Sequence, residues 1–554
     1  MPAKTDLIQV DMNKRYFAIT ILLLFLTAGS VFAQDTTKKK TIDITSTFKP
    51  VLRQAVKQNF SASLPQVDSS RPRLNYNIPE QKVKVPFLPG SISPVAMQID
   101  SSMPWKNSQY LKVGIGNIHI PYIQGGLSVG DARNNIAVYG EFFAAKGKLD
   151  YQKNNSLDLA LKGTVAAGEN HEVNARLGFK AQDYFFYGYQ PTTLVYTKDE
   201  LKQKFQTVDG TISLRNINPT AFGISYQPSI SFSSFSGTNH WYKGTESNLI
   251  VKLPMQKAIG ENLGFNLGVT ADITSFQPPN VAKVKNNLFL VDPAFVMKTP
   301  NVYLHAGVLP SWDNKIFHLL PNLMADFTTN DKRFTFQAGW IGYFNKGTYQ
   351  RFAGINPFII QPDTLRNNRV TEFYGGFKGS LAHNFTYSAK LSFAKHYSEV
   401  LFLNDRGDGK TFITVFSPEI TMVQLHGEIG YTLGETFSFK GGVTYTNFTR
   451  IAEQQRAWGL LPMELNANLR WTIIKDLTLK ADLFAWDGPT YQTKTGDARK
   501  GDKAADLNAG VEFKVLPKLD LFFQMNNIFN NRYMRWNQYE TYGFQVLGGV
   551  IFRL

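Results

Sequence analysis

From Tyr110 to the C-terminus, apolar side chains recur at every second position, the period of a pleated strand whose two faces meet different surroundings. Leu157, Leu159, Leu161 and Val165 alternate with Asp158, Ala160, Lys162 and Thr164. Val173, Ala175, Leu177 and Phe179 alternate with Asn174, Arg176, Gly178 and Lys180. Leu263, Phe265, Leu267, Val269 and Ile273 repeat the pattern, as do Met463, Leu465, Leu469, Trp471 and Ile473 against Glu464, Asn466, Asn468, Arg470 and Thr472. Such a chain folds as sheet.

A soluble sandwich also alternates, so the period alone does not choose between water and lipid. The runs here extend over 10 to 16 residues, whereas soluble strands average about five or six. Mid-strand positions on the polar face carry both signs of charge, which suits a wet lumen. The candidate luminal charges are Asp158, Lys162, Arg176, Lys180, Asp272, Lys378, Lys390, Glu464, Arg470 and Asp482. The other face is rich in Phe, Trp, Tyr and Leu, in a chain holding 43 Phe and 24 Tyr, as a hydrocarbon band with aromatic girdles requires. The fold class is therefore all-β, a transmembrane antiparallel β-barrel over residues 108–554.

Connection lengths count the strands. The pattern gives about 22, with 20 and 24 also compatible. Ten connections are short: 131–134, 168–171, 217–220, 254–261, 299–301, 329–332, 382–384, 433–435, 474–476 and 516–518. The six longest, 182–206, 344–369, 397–418, 448–460, 487–504 and 529–542, all fall on the opposite side. Outer-membrane barrels have short periplasmic turns and longer surface loops, so the lengths sort by side. The terminal strand, with Phe544, Val546, Val550, Phe552 and Leu554 on one face, supplies closure against the first.

The segment Asn526-Asn527-Ile528-Phe529-Asn530, then Tyr533, Gly543-Phe544 and Gly548-Gly549, resembles the end of TonB-dependent outer-membrane receptors. In that family an Asn-Leu-Phe-Asn-x-x-Tyr element precedes the last surface loop and closing strand; Ile528 stands in place of the Leu. The resemblance implies a 22-strand barrel that binds and imports bulky ligands at the cell surface. Family transporters also carry an N-terminal plug domain. Here only residues 34–107 lie between the leader and strand one, which makes a TonB interaction doubtful.

The chain's beginning sets the compartment. Lys14 and Arg15 precede the apolar run Phe17–Leu26, followed by Val31-Phe32-Ala33. This reads as a secretory signal peptide, residues 1–33, cleaved after Ala33. Residues 34–107 contain 8 of the 26 prolines and 11 Lys or Arg against 5 Asp or Glu. Proline at that density prevents long helices and central strands, which leaves a basic extended arm, periplasmic or luminal. Export to the cell outer membrane makes lipid the first partner and excludes nucleic acid. A surface lipoprotein or other outer-membrane subunit is a further candidate partner.

Catalytic chemistry finds no support. The chain has no cysteine, which removes thiol catalysis, Cys-based zinc sites and disulfides. Gly126-Leu127-Ser128-Val129-Gly130 matches G-x-S-x-G, but it lies inside a strand, not at a strand–turn–helix elbow. Asp405, Asp408 and Gly409 lack the rest of a calcium-loop pattern. No cofactor or metal is expected, and the chain reads as a non-enzyme. Candidate surface-loop contacts are Tyr184, Phe185, Phe186, Tyr187 and Tyr189 in one loop, and Arg532, Tyr533, Arg535, Trp536 and Tyr539 in another, since aromatic and Arg side chains anchor ligand and protein contacts. The first functional expectation is ligand binding and transport; the alternative is a plugless barrel serving as a structural or assembly subunit.

Overall fold

The computed structural model describes residues 108–279, 281–381 and 384–554. The expected signal peptide and basic arm lie outside the described residues.

Long alternating runs become a closed antiparallel barrel of 22 strands. The first six are β1 (Ser108–Gly116), β2 (His119–Gly130), β3 (Asn135–Lys146), β4 (Lys153–Ala167), β5 (His171–Phe185) and β6 (Lys202–Asn216). β7 runs in two pieces, Ile224–Tyr226 and Ser229–Asn239, and is followed by β8 (Lys243–Ile259), β9 (Leu263–Gln277) and β10 (Val284–Lys298). Next come β11 (Val302–Asp313), β12 (Ile316–Thr328), β13 (Phe334–Asn345), β14 (Asn368–Leu381), β15 (Phe385–Asn404) and β16 (Phe412–Leu433). The wall is completed by β17 (Phe437–Ile451), β18 (Met463–Ile474), β19 (Leu477–Asp487), β20 (Ala504–Leu516), β21 (Leu519–Asn526) and β22 (Gln545–Arg553). β22 pairs with β1 in a register running from Tyr110↔Arg553 to Gly116↔Leu547, which leaves no open edge at the seam. Among the described residues no helix is long and apolar enough to cross a membrane.

Strand faces follow the sequence pattern. Leu159, Leu177, Ile212, Phe295, Leu319, Phe373, Phe393 and Leu425 are all exposed on the outside, a band that only lipid can solvate without cost. At the short-turn rim, Phe334, Phe377, Tyr387 and Phe385 form one chain of ring contacts, and Tyr431, Phe437 and Trp471 form a second. Aromatic rings at this level make an interfacial girdle. Gly168 (φ 72°), Gly260 (φ 70°) and Gly434 (φ 52°) take left-handed positions in the short turns, where a side chain would be strained.

Two boundaries differ from the sequence expectation. The expected turn 254–261 is mostly strand, because β8 continues to Ile259. Pro254 is tolerated there because its missing N–H falls at the Gln227-Pro228 break in β7, where the Gln227 N–H donates instead to the Pro254 carbonyl at 3.2 Å. The expected loop 397–418 shrinks to residues 405–411, because β15 and β16 keep pairing out to Asn404↔Phe412. Val400, Leu401, Phe402 and Phe412 in that extension are buried against other loops. Tertiary burial thus carries the ladder beyond the membrane.

Candidate functional site: the loop-filled outer mouth

The barrel end opposite the short turns is filled by its own loops. The loop after β5 holds a short helix, α1 (Lys198–Leu201), closed by a capping box between Thr197 and Glu200. The loop after β13 holds α2 (Tyr349–Ile355), whose N-cap Thr348 accepts the Arg351 N–H at 3.1 Å. Small hairpins stiffen two further loops, one pairing Thr490–Gln492 with Ala498–Lys500 and one pairing Met534–Trp536 with Tyr539–Glu540.

Polar wall residues hold the α2 loop. Glu246 on β8 accepts the backbone N–H groups of Tyr349 at 2.5 Å and Gln350 at 3.2 Å, so its carboxylate satisfies the first turn of α2. Lys346 lies 3.1 Å from the Asp272 carboxylate and donates to the Asn286 carbonyl at 2.6 Å. Gln203 on β6 donates to the carbonyls of Pro357 and Ile359 at 2.9 and 2.8 Å. Asn286 and Asn367 exchange amide hydrogen bonds at 2.8 and 2.9 Å. Each contact satisfies a loop group that would be costly to bury alone.

An aromatic core binds the loops to one another. The rings of Phe358 and Tyr539 stack with centroids 3.5 Å apart, and Tyr187 meets Tyr539 edge-on at 4.9 Å. Trp536 packs edge-on against Phe402 and Phe412 at 5.2 and 5.6 Å. The Tyr187 hydroxyl donates to the Glu540 carbonyl at 2.8 Å, and the Tyr539 hydroxyl donates to the Lys410 carbonyl. Burial pushes both phenols above their ordinary range. They remain hydrogen-bond donors at neutral pH.

Asp408 ties a further loop into this core. Burial opposes its ionisation, but hydrogen bonds from Lys410 and Tyr196 prevail and hold its carboxyl below the usual range. Asp405 and Asp408 are thus part of a packed polar turn. No group of three or more potential metal ligands occurs among the described residues.

Of the ten aromatic and Arg positions singled out in the sequence, Phe185, Phe186, Tyr533, Trp536 and Tyr539 are buried; Tyr184, Tyr187, Tyr189 and Arg535 are half-buried; Arg532 is exposed. Tyr533 packs on Phe484 and Trp486 and donates to Asp506 at 3.1 Å. A cavity of about 230 Å³ remains beside this cluster, lined among others by Phe402, Tyr491, Asp502, Arg535 and Trp536. Arg535 lies over the Trp536 ring at 4.2 Å, and burial lowers its pKa to about 10 while Glu464 opposes the shift.

The candidate luminal charges spread along the wall. Lys378 pairs with Asp326 at 2.9 Å, Lys390 with Glu372 at 2.6 Å, and Arg176 with Asp209. Asp158 lies opposite Lys180, and Lys162 opposite Arg176, in the β4–β5 register. Asp482 accepts from Asn468 at 2.8 Å, and Arg470 lies opposite Lys480. Asp272 serves the α2 loop instead, through Lys346. Sequence reading missed Glu246, Gln203, Asp209, Asp326 and Glu372. Strand parity gives a signal for the acids, but nothing local tells that Glu246 will cap a helix about a hundred residues away.

Known structures share this architecture. The siderophore receptor PirA from Acinetobacter baumannii aligns with a TM-score of 0.63 at 9% identity, covering 81% of this chain and 80% of that chain. The FrpB iron transporter from Neisseria meningitidis gives 0.63 at 10% identity, covering 81% and 82%. The ferric enterobactin receptor PfeA from Pseudomonas aeruginosa, a mutant in complex with enterobactin, gives 0.61 at 12% identity, covering 81% of each chain. The chain has the TonB-dependent receptor barrel fold. No protein-family model and no curated protein sequence matches it. As a receptor-fold barrel with a lipid-facing belt, it resides in the outer membrane. Its long loops are then the surface loops and its short turns the periplasmic ones.

Proposed function

We propose that this receptor-fold barrel binds a bulky ligand at the cell surface and passes it inward, without covalent chemistry. The observation that carries the reading is the mouth: surface loops converge on one aromatic core, and a cavity of about 230 Å³ lies among them. Concave, largely apolar sites with a few polar groups are the usual form of a ligand site. Ferric siderophores are the first class to test, because the structural neighbours named above are receptors and transporters of iron or siderophores. Purified protein in detergent is titrated with ferric catecholate and ferric hydroxamate complexes while tryptophan fluorescence is followed. Saturable quenching that is lost in Trp536→Ala supports the reading. Linear, non-saturable quenching with both classes overturns the siderophore assignment.

A second reading, a structural or assembly subunit, has one observation in its favour. Phe186 and Tyr539, which an open site would present to a ligand, are consumed in packing loop against loop. Purification in mild detergent separates the readings: a stoichiometric outer-membrane partner supports the subunit, and recovery of the barrel alone counts against it.

A further inference from the structure

Above the lipid belt, the outer face of β6–β10 changes from apolar to hydroxyl-rich and basic, in ordered rows. Phe232, Leu249 and Ile273 lie side by side in register and are exposed on the outside, so they mark the upper edge of the belt. Further round the wall, Trp312 packs on Phe317 with centroids 5.3 Å apart and lies opposite Phe289, which forms an interfacial girdle. Two residues above the edge, Ser234, Ser247, Ser275 and Lys285 make the next outward row. Ser236, Thr245 and Gln277 follow, and above them Lys204, Thr238 and Lys243. Gln203, Phe205, Glu246 and Asn248, which alternate with these positions, are buried and point inward. Lys315, in the turn between β11 and β12, adds a further cation. Lys204, Lys243, Lys285 and Lys315 are all exposed and form no ion pair among the described residues, whereas Lys202 at the top of β6 pairs with Asp183 at 3.1 Å.

The height of the rows selects the partner. At about 3.3 Å per residue, Lys204 and Lys243 stand about 20 Å along the strands above the apolar edge. At a strand tilt of about 40°, that is about 15 Å along the membrane normal. A phospholipid headgroup layer is only about 5–7 Å thick. Lys285 falls within such a layer, but Lys204 and Lys243 rise clear of it, with serine, threonine and glutamine side chains filling the interval. We propose that this flank binds a phosphorylated glycolipid of the outer leaflet. Lys285 and Lys315 meet its phosphates at the edge of the belt, the hydroxyl and amide rows hydrogen-bond its sugars, and Lys204 and Lys243 meet anionic groups higher on the oligosaccharide. Basic clusters at a membrane edge recognise anionic headgroups by this electrostatic attraction. The strands hold the rows in fixed register, so the site is formed before the lipid arrives. It lies on the outside of the wall and is independent of the transport reading.

The test uses the full chain, purified in mild detergent and titrated with fluorescently labelled rough lipopolysaccharide as the probe, with anisotropy as the readout. Heat-modifiable mobility confirms that each variant is a folded barrel. Saturable binding is expected, weakened at least fivefold in the combined variant Lys204→Glu, Lys243→Glu and Lys285→Glu. A control variant of equal net charge, Lys332→Glu, Lys475→Glu and Lys518→Glu, alters exposed residues of the periplasmic turns and is expected to bind like wild type. Phosphatase-treated lipopolysaccharide is expected to compete at least fivefold less well than the intact lipid, and phosphatidylglycerol no better than the treated form. Equal binding by the flank variant and wild type overturns the proposal, as does an equal loss in the control variant. Competition by phosphatidylglycerol as strong as that by the intact glycolipid overturns the glycolipid assignment and leaves an ordinary anionic phospholipid contact.

Discussion

Lys390 Nζ lies 2.6 Å from Glu372 Oε1 on the neighbouring strand, and neither side chain exposes more than 2% of its surface. The ammonium also sits 4.2 Å from the centroid of the Tyr374 ring. A buried pair of this kind is retained because breaking it strands a charge, whatever its net worth.

Removing one partner is therefore costly. Lys390→Met is expected to destabilise the barrel by about 3–5 kcal/mol. Lys390→Met combined with Glu372→Leu recovers most of that loss, because no uncompensated charge remains. Loss of the folded band on unheated gels, across a temperature or urea series, gives the comparison.

Glu246 is expected to control the α2 loop. Glu246→Ala removes the acceptor for the Tyr349 and Gln350 N–H groups, and each donor left without a partner costs about 1–3 kcal/mol. Trypsin then cuts at Arg351 or Arg366 in the variant at rates at least tenfold above wild type, while the barrel stays intact. Equal digestion rates would show that the loop's aromatic packing alone holds it.

Asp408 gives the mouth an acid limit. Its folded carboxyl titrates below the ordinary value of about 3.9. The stabilisation is fully present above that ordinary value and fades as pH falls through the lower folded value. Loop protection against pepsin is expected to hold at pH 5 and to be lost as the pH falls below the ordinary carboxylate value and through the lower folded one. Asp408→Asn flattens this dependence and lowers protection at pH 5.

Truncating the aromatic core opens the mouth. Trp536→Ala removes a side chain buried against Phe402 and Phe412, a change that costs about 3–5 kcal/mol in packed cores. Because that cost falls on the loops, the expected readout is loss of near-UV circular dichroism with unchanged strand content in the far UV.

Leu425 faces lipid at mid-strand. Leu425→Arg is expected to cost about 2–4 kcal/mol of barrel stability. Asn468→Arg, on the luminal face beside Asp482, is expected to stay near wild type. Equivalent losses in the two variants would contradict the assignment of faces.

The sequence by itself determined the wall. Alternation is a property of adjacent residues, so the barrel class, the sides of its connections and faces such as Leu159 out and Asp158 in were legible locally. Most of the short turns were legible for the same reason, with ends shifted by a few residues, although the expected turn 254–261 is mostly strand. Only the tertiary structure decided the mouth. That β15 and β16 run on to Asn404 and Phe412, that Glu246 caps α2, and that Phe358 stacks on Tyr539 depend on groups separated by up to about 180 positions along the chain. No short-range period encodes such meetings, because the energy that fixes them comes from burial and hydrogen bonds available only after the wall has closed.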